Sequence, residues 1–177
     1  MQFFKSYRPG MELGRGQTLD AATRVTLLEE NPERLLRDSF ETLVNQPFPV
    51  EEWLLVTPEY LIYATETPVM DHLREILLRG ARQVAPEALQ DLLSQLSEHA
   101  DTDASRVWLP RKGARARPWV FEGRAPALLG SKPVPVHYYE IRVGSGALYF
   151  LQQPIGRKKA RQDFEVIAQQ LRSSGTG

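Results

Sequence analysis

The sequence predicts an α+β fold in which an antiparallel sheet packs against an αα-hairpin and a C-terminal amphipathic helix. Two stretches have the pattern of β-hairpins, one around Pro58 and one around Gly144-Ser145-Gly146. Apolar residues recur at helical spacing between the two hairpins and again after the second one. Short strands predicted at residues 106–110 and 118–121 extend the sheet.

The first hairpin joins β-rich runs at residues 52–56 and 60–66. Both runs are almost continuously apolar, which predicts strands that are buried on both faces of the sheet. Trp53 and Tyr63 are therefore expected to pack in the core rather than to form an exposed binding surface.

The C-terminal hairpin joins β-rich runs at residues 134–143 and 147–151. Glycine tolerates the positive φ angles that tight hairpin turns require. The sequence leaves the register open, because a two-residue Gly144-Ser145 turn and a three-residue loop ending at Gly146 give different cross-strand partners. Either register leaves one apolar and one amphipathic face, and we expect the C-terminal helix that follows in the chain to cover part of the second face.

The αα-hairpin is predicted between the two β-hairpins. Its first helix follows Thr67-Pro68 and ends at Gly80, a glycine suited to the left-handed position after a helix. Its second helix opens at Pro86 and carries a stripe of leucines: Leu89, Leu92, Leu93 and Leu96.

The C-terminal helix is predicted from apolar residues at i, i+4, i+7, i+8 and i+11, which form one stripe of an α-helix. These residues are Ala160, Phe164, Ile167, Ala168 and Leu171. We expect this helix to pack on the sheet that the preceding hairpin builds.

The N-terminal part combines an arm, an ambiguous stretch and a helix. Residues 1–17 form the arm, and we expect its aromatic residues to dock on the core: Phe3, Phe4 and Tyr7. Residues 20–30 fit either a helix or a strand, because their apolar residues are compatible with both periods. A helix then begins with Asn31 as N-cap and Pro32 in its first turn, and is predicted to end near Asn45.

Length and composition exclude several classes of protein and several kinds of site. At 177 residues we predict a single domain, with any subdomain boundary at residues 99–105, where helical periodicity gives way to polar residues. The absence of cysteine excludes disulfides, thiol catalysis and cysteine-based metal sites. No run approaches the ~18 apolar residues that a membrane helix requires, so we expect a cytoplasmic protein without membrane attachment. We also expect no cofactor, because no cofactor motif is present.

The net charge of zero conceals an asymmetry between the two halves of the chain. Residues 1–100 hold 9 Lys or Arg against 16 Asp or Glu, whereas residues 101–177 hold 13 against 6. Oppositely charged halves can neutralise each other within one molecule or between two molecules. We therefore expect any self-association to be favoured at low salt.

Two clusters of cations lie in the basic half. The first cluster is Arg111, Lys112, Arg115 and Arg117, bracketed by Trp108 and Trp119, and the second is Arg157, Lys158, Lys159 and Arg161. Cations next to aromatic rings are typical of grooves that bind single-stranded nucleic acid. If both clusters meet at one end of the sheet, they form one anion-binding site together with Trp119. The alternative interpretation is a solvated loop and helix start that pair with the acidic half.

The residues available for enzyme chemistry are few. His72, His99 and His137 lack the spacing of metal ligands, and Ser145 lacks the motif of a nucleophile elbow. No family motif is satisfied. We therefore predict a non-enzymatic interaction module that acts through protein–protein contacts. The alternative is a nucleic-acid-binding protein that uses residues 111–117 and 157–161, and a third hypothesis is a hydrolase or nuclease of unrecognised type.

Overall fold

The computed structural model describes residues 6–35, 51–66, 68–80, 85–101, 105–126 and 128–174. In this part of the chain the strands are β1 (Glu12–Gly14), β2 (Gln17–Thr18), β3 (Ala21–Leu28), β4 (Glu52–Val56), β5 (Tyr60–Thr65), β6 (Arg106–Pro110), β7 (Ala114–Pro126), β8 (Ser131–Val143) and β9 (Gly146–Gln152). The helices are α1 (Val69–Arg79), α2 (Pro86–Glu98) and α3 (Lys158–Ser174).

Seven of the strands form one antiparallel sheet in the order β6-β5-β4-β3-β9-β8-β7, and β1 and β2 form a small separate hairpin. The α+β fold class is confirmed, as are both predicted hairpins, β4–β5 and β8–β9. The β8–β9 register is that of the two-residue Gly144-Ser145 turn, because Val143 pairs with Gly146. Gly144 has φ +59, which explains why glycine opens this turn.

The sheet is strongly curled, and the connection between β6 and β7 requires the curl. These strands lie at opposite edges of the sheet, yet only residues 111–113 join them. In a flat sheet, six strand spacings of about 4.8 Å would separate the two strands by roughly 29 Å. The four Cα–Cα steps from Pro110 to Ala114 span at most ~14 Å. The two edges of the sheet therefore approach each other at this turn.

The larger core lies on one face, which we call the inner face. All three helices contribute to this core, together with β3, β4, β5, β6, β8 and β9. The predicted stripe of α3 faces the sheet, with Phe164, Ile167 and Leu171 buried. The packing of the C-terminal helix on the sheet is thus confirmed. The core combines residues from both sides of the 99–105 stretch, of which residues 102–104 lie outside the described part.

The opposite, outer face carries two smaller clusters. The arm packs over β4, β5 and β6, where Tyr7 contacts the Trp53 ring edge to face with centroids 5.4 Å apart. The Arg15 guanidinium lies 4.5 Å from the centroid of the buried Trp108 ring and pairs with Asp101 at 3.0 Å. The prediction that the arm docks on the core is confirmed for Tyr7. Residues 3 and 4 lie outside the described part of the chain.

The ambiguous stretch at residues 20–30 is a strand. Its apolar residues fit a helix as well, but β3 lies in the middle of the sheet and pairs with both β4 and β9. The two flanking strands satisfy the backbone groups along both of its edges, which outweighs the local pattern.

One predicted strand is longer in the structure than the sequence indicates. The short strand predicted at 118–121 is part of β7, which runs from Ala114 to Pro126. Arg115 and Arg117 therefore lie on a strand and not in a loop. The long pairing partner β8 explains the extension, since thirteen consecutive residue pairs join the two strands.

Gly80 ends α1 as predicted, but not for the predicted reason. Its φ is −88, which is outside the left-handed region. A Cβ at this position would lie 2.5 Å from the carbonyl oxygen of Glu29, so close approach of the chain explains the glycine.

The helix predicted from Asn31 does begin there. The Asn31 Oδ1 atom accepts a hydrogen bond from the backbone N–H of Glu33 at 2.9 Å, as an N-cap does, and residues 32–35 are helical. The rest of this predicted helix, up to Asn45, lies outside the described residues.

Candidate functional site

Three arginines lie together on the outer face where β7 pairs with β8. Arg115 stands directly opposite Arg142, and Arg117 stands opposite Glu140. We call Arg115, Arg117 and Arg142 the arginine face. Directly opposed side chains in a sheet have Cβ atoms about 4.5–5.5 Å apart, and like charges in such pairs repel. All three arginines are exposed, so an anion bound between Arg115 and Arg142 would relieve this repulsion.

One carboxylate lies within the arginine face. Glu140 is only 8% exposed, and its Oε1 atom lies 3.5 Å from Nε of Arg142. Tyr149, opposite Glu140 on β9, shares a hydrogen bond with this carboxylate. Among the described residues, the three guanidinium groups outnumber Glu140 and the nearby Glu33, which leaves this part of the outer face positively charged.

Aromatic side chains continue the same face along the strands. Trp119 is 40% exposed and lies opposite the buried Tyr138. Phe121 contacts Tyr138 edge to face with ring centroids 5.9 Å apart. Tyr149 lies on the other side of Tyr138, with centroids 6.4 Å apart. Trp119 is thus partly exposed on a face that also carries the buried Tyr138 and the half-buried Phe121 and Tyr149.

The tyrosine hydroxyls of this face stay protonated over a wide pH range. Burial raises the pKa of Tyr138 to about 12, with further contributions from the negative charges of Glu33 and Glu140. Burial, followed by the charge of Glu140, also raises the pKa of Tyr149. Asn31 bonds to both hydroxyls and partly opposes these shifts. The start of the helix at residues 32–35 therefore covers part of the amphipathic face. The C-terminal helix, expected there from the sequence, packs on the opposite face of the hairpin, with Tyr139 and Ile141, because its apolar stripe meets the more apolar side of the sheet.

Arg111 does not lie on the arginine face. It follows β6 in the turn, where its Nη1 donates to the carbonyl of Thr57 and its Nη2 to the carbonyl of Gln170, both at 2.8 Å. Burial lowers the pKa of Arg111, and the charge of Asp20 opposes this shift. These bonds connect the β6–β7 turn to the β4–β5 turn and to α3. Lys112, in the same turn, is exposed.

The second cluster of cations lies elsewhere. Because β7 and β9 both pair antiparallel with β8, they run in the same direction, and the turn before β7 and the segment after β9 are at opposite ends of the sheet. Residues 157–161 start α3, which belongs to the inner face, whereas Arg115 and Arg117 share the outer face with Phe121. The expectation that both clusters sit at one end of the sheet is therefore wrong. Arg157, Lys158, Lys159 and Arg161 are all exposed at the start of α3.

Exposed apolar side chains concentrate on the β7–β8 hairpin. Six large hydrophobic residues are exposed among the described residues, and four of them belong to this hairpin: Trp119, Val120, Leu128 and Leu129. Leu128 and Leu129, at the connection between the strands, are 102% and 93% exposed. The other two are Leu78 on α1 and Val166 on α3. Trp119 lies on the outer face and Val120 on the opposite face, whereas Leu128 and Leu129 lie at the far end of the hairpin. Exposed large apolar side chains that concentrate on one element are typical of a protein-binding site.

A separate polar cluster is buried beneath α1. The Oε1 atom of Glu52 accepts hydrogen bonds from the N–H of Leu27 at 3.0 Å and from the hydroxyl of Tyr63, and it lies 3.1 Å from Nε2 of His72. Glu52 is the first residue of β4, so its carboxylate binds a β3 backbone N–H beyond the last β3–β4 pair. Desolvation and the neighbouring carboxylate raise the pKa of Tyr63 well above its ordinary value. This cluster holds α1 on the sheet.

The other candidates for chemistry are also separated. His137 faces α3 on the inner side, where its ring lies 4.6 Å from that of Phe164, whereas Glu140 and Arg142 face outward. Burial lowers the pKa of His137, and of the two nearby charges Glu165 raises it and Arg161 lowers it. No group of three or more His, Asp or Glu residues in the described part of the chain has the arrangement of a metal site.

Sequence reasoning overlooked part of this site. Arg142 becomes a neighbour of Arg115 only through the β7–β8 register, which a single sequence does not specify. The exposure of Leu128 and Leu129 could have been predicted from the sequence. Two leucines next to Gly130 are unusual in a connection between strands, where polar turn residues predominate.

None of the helices in the described ranges is both long and apolar enough to cross a membrane. Comparisons of the chain with protein families, with curated proteins and with solved structures find no match.

Proposed function

We propose that the protein is a non-enzymatic interaction module that binds a protein partner through the β7–β8 hairpin. One observation carries this proposal: four of the six exposed large hydrophobic residues in the described part belong to this single hairpin. The arginine face lies on the same side of β7 as Trp119, so the hairpin combines exposed apolar side chains with positive charge. Binding surfaces in which apolar contacts are bordered by charged groups are typical of protein interfaces.

The energetic reason concerns Leu128 and Leu129. Burying a leucine side chain contributes about 1.5–3 kcal/mol relative to leaving it in water. Neither leucine contributes this energy to folding, since both are fully exposed. A partner that covers both would gain several kcal/mol before the costs of association, which is the scale expected of residues that dominate an interface.

The buried polar groups support a non-enzymatic role. Glu52, Tyr63 and His72 bond to one another and to the backbone beneath α1. Tyr139 donates to Gln152 at 2.5 Å, and Gln152 donates to Thr23 at 2.6 Å, so this second network joins β8, β9 and β3. Both networks have partners inside the fold that account for their burial.

Affinity capture from lysate tests the proposal. The full chain and the double variant Leu128→Ser/Leu129→Ser are immobilised, with Leu78→Ser as the matched control, since Leu78 is an exposed leucine on α1. We expect the double variant to lose the captured protein and the control to retain it, with nuclease treatment having no effect. Equal capture by the double variant and the control would contradict the proposal. Unchanged melting temperatures would establish that both variants are folded.

A second candidate function is the binding of single-stranded nucleic acid on the arginine face. The observation in its favour is that Arg115 opposes Arg142 on the same face as the exposed Trp119. Three phosphate contacts would give a slope of log K against log salt of about −2, at about 0.7 per contact on single strands.

Fluorescence anisotropy with a labelled oligothymidylate tests this candidate. Replacing Arg115 and Arg117 by alanine should flatten the salt slope by about 1.4, and Trp119→Ala should weaken binding by ~1–3 kcal/mol if a base stacks on the ring. Alanine at Lys158 and Lys159, on the inner-face helix, is the matched control. Binding that is insensitive to salt, or that depends equally on the control lysines, would exclude the arginine face.

A further inference from the structure

Two prolines of β8 determine which backbone groups of the hairpin point outward. Pro133 pairs with Arg124, and Pro135 pairs with Glu122. In an antiparallel pair of strands, residues alternate between hydrogen-bonded and non-hydrogen-bonded pairs. Proline has no N–H to donate, so both proline pairs must be of the non-hydrogen-bonded kind. The N–H of Glu122 therefore points away from β8.

The same alternation applies along the whole of β7. Val143 and Gly146 flank the two-residue turn and form the hydrogen-bonded pair that closes the β8–β9 hairpin, so the odd-numbered residues of β8 bond toward β9. Their partners on β7 are the even-numbered residues, whose N–H groups must point to the opposite side. Pro118 fits this pattern, because its missing N–H also falls on the outer edge. The N–H of Val120, like that of Glu122, thus points away from the sheet.

Past the end of β9, the β7–β8 hairpin has no further described strand on either side. Its β7 edge and its β8 edge differ in the number of N–H donors that they offer. The pairing of β9 with β8 ends at Tyr138, so the earlier part of β8 forms an edge of its own. Pro133 and Pro135 remove two successive donors from that edge. The β7 edge keeps the donors of Val120 and Glu122, and no described strand pairs with it. Only the β7 edge can therefore accept a further strand.

We propose that the partner adds an extended acidic segment as an extra strand along the outer edge of β7, bonded to the backbone of Val120 and Glu122. This inference rests on the proposed function and specifies the chemistry of the partner. Strand addition to an exposed sheet edge obtains its affinity from backbone hydrogen bonds and its specificity from alternate side chains. Side chains of the added strand that lie on the outer face would be next to Arg115, Arg117 and Trp119. Those on the inner face would be next to Val120.

The charge of the edge selects an acidic partner over a second copy of the chain. Arg115 and Arg117 lie on β7, and Arg142 lies behind them on β8. A second β7 strand added in parallel would place arginine opposite arginine, and like charges across strands are destabilising. Added antiparallel about Val120 and Glu122, it would place Gly123 and Ala125, but no carboxylate, opposite Trp119 and Arg117. A segment with carboxylates at alternate positions would instead pair with the arginine face. The exposed Val120 favours an apolar residue on the other face of the segment.

The first test uses peptides of known sequence. A displayed library of random peptides about twelve residues long, enough to cover the open edge of β7, is selected on the immobilised full chain. We expect the selected peptides to have acidic residues at alternate positions. The affinity of one such peptide is then measured for Glu122→Pro, which removes the outward N–H, and for the matched control Glu122→Ala, which retains it. Glu122→Pro should weaken binding by about tenfold or more, and Glu122→Ala by less than about threefold.

A measurement on the unaltered chain makes the test independent of how well the proline variant folds. Amide hydrogen exchange should show the N–H groups of Val120 and Glu122 exchanging fast in the free protein and slowly with the peptide bound. Equal affinity of the two Glu122 variants, unchanged exchange at these amides or selected peptides without acidic residues would overturn the inference. Self-association that Glu122→Pro abolishes would overturn it in favour of a second copy. Suppose that capture from lysate is lost in Leu128→Ser/Leu129→Ser but retained in Glu122→Pro. That result would support the proposed function and reject strand addition.

Discussion

Replacing Arg111 by alanine should destabilise the fold, although the sequence places this residue in a cluster of cations typical of an anion-binding loop. Its guanidinium donates to the carbonyls of Thr57 and Gln170, both at 2.8 Å. These two bonds close the β6–β7 turn against the β4–β5 turn and against α3. The adjacent Lys112 is exposed and makes a suitable matched control.

The expected loss can be worked from these two bonds. A hydrogen bond to a charged group contributes about 1.5–3 kcal/mol when it is buried. The Arg111 side chain is only partly buried, so we take the low end of that range. Arg111→Ala should then lower the free energy of unfolding by about 2–3 kcal/mol. Lysine has a single ammonium group and cannot reach both carbonyls, so Arg111→Lys should lose roughly half as much.

Urea denaturation measures this loss. With a slope of about 2 kcal/mol per molar, the midpoint of Arg111→Ala should fall by about 1–1.5 M. Lys112→Ala should stay within about 0.5 kcal/mol of the unaltered protein, as exposed substitutions usually do. An Arg111→Ala midpoint equal to that of Lys112→Ala would refute the structural role and return Arg111 to the set of candidate anion ligands.

Three further predictions concern packing, pH and self-association. Gly80→Ala places a Cβ 2.5 Å from the Glu29 carbonyl oxygen and should destabilise the fold by about 1–3 kcal/mol. Gly113→Ala is the control, because its Cβ would meet its nearest atom at 3.9 Å. Equal melting temperatures for the two variants would show that the chain at Glu29 moves aside without cost. Because the pKa of Tyr138 is raised from 10.0 to about 12, the folded state keeps a proton that the unfolded chain releases between these pH values. The contribution of this group to the free energy of unfolding should be fully present below pH 10 and be lost as the pH rises toward 12. Urea titrations should show a smaller loss for Tyr138→Phe. If the acidic and basic halves meet between molecules, sedimentation should show association at low ionic strength that about 0.15 M salt reverses, and a monomer at high concentration and low salt would leave only pairing within one molecule.

The elements of the fold were largely predictable from local patterns. Period-two and continuous apolar runs predicted β4, β5, β8 and β9, and helical stripes predicted α1, α2 and α3. Residues 20–30 could not be assigned, because the strand β3 is specified by its two neighbours rather than by its own residues. The extent of β7 was underestimated for a related reason, since Ala114, Ala116 and Pro118 are of types that are depleted in strands and are held in β7 by pairing with β8.

The candidate site was predictable only in its composition. The residue types were visible, with four cations and Trp119 in one short stretch. Their grouping was not, because alternation along β7 sends Arg115 and Arg117 to the outer face and the turn directs Arg111 to backbone carbonyls. No pattern within residues 111–117 distinguishes an arginine that binds backbone carbonyls from one that lies on the outer face.

The sequence by itself determined that this chain forms an antiparallel α+β fold with a hairpin around Gly144-Ser145-Gly146 and an amphipathic C-terminal helix, since periodicity and turn chemistry are local properties. Only the tertiary structure decided the curl that brings β6 and β7 together, the opposition of Arg115 and Arg142, and the separation of the two clusters of cations. These features depend on strand order and register, which arise from contacts between residues far apart in the chain.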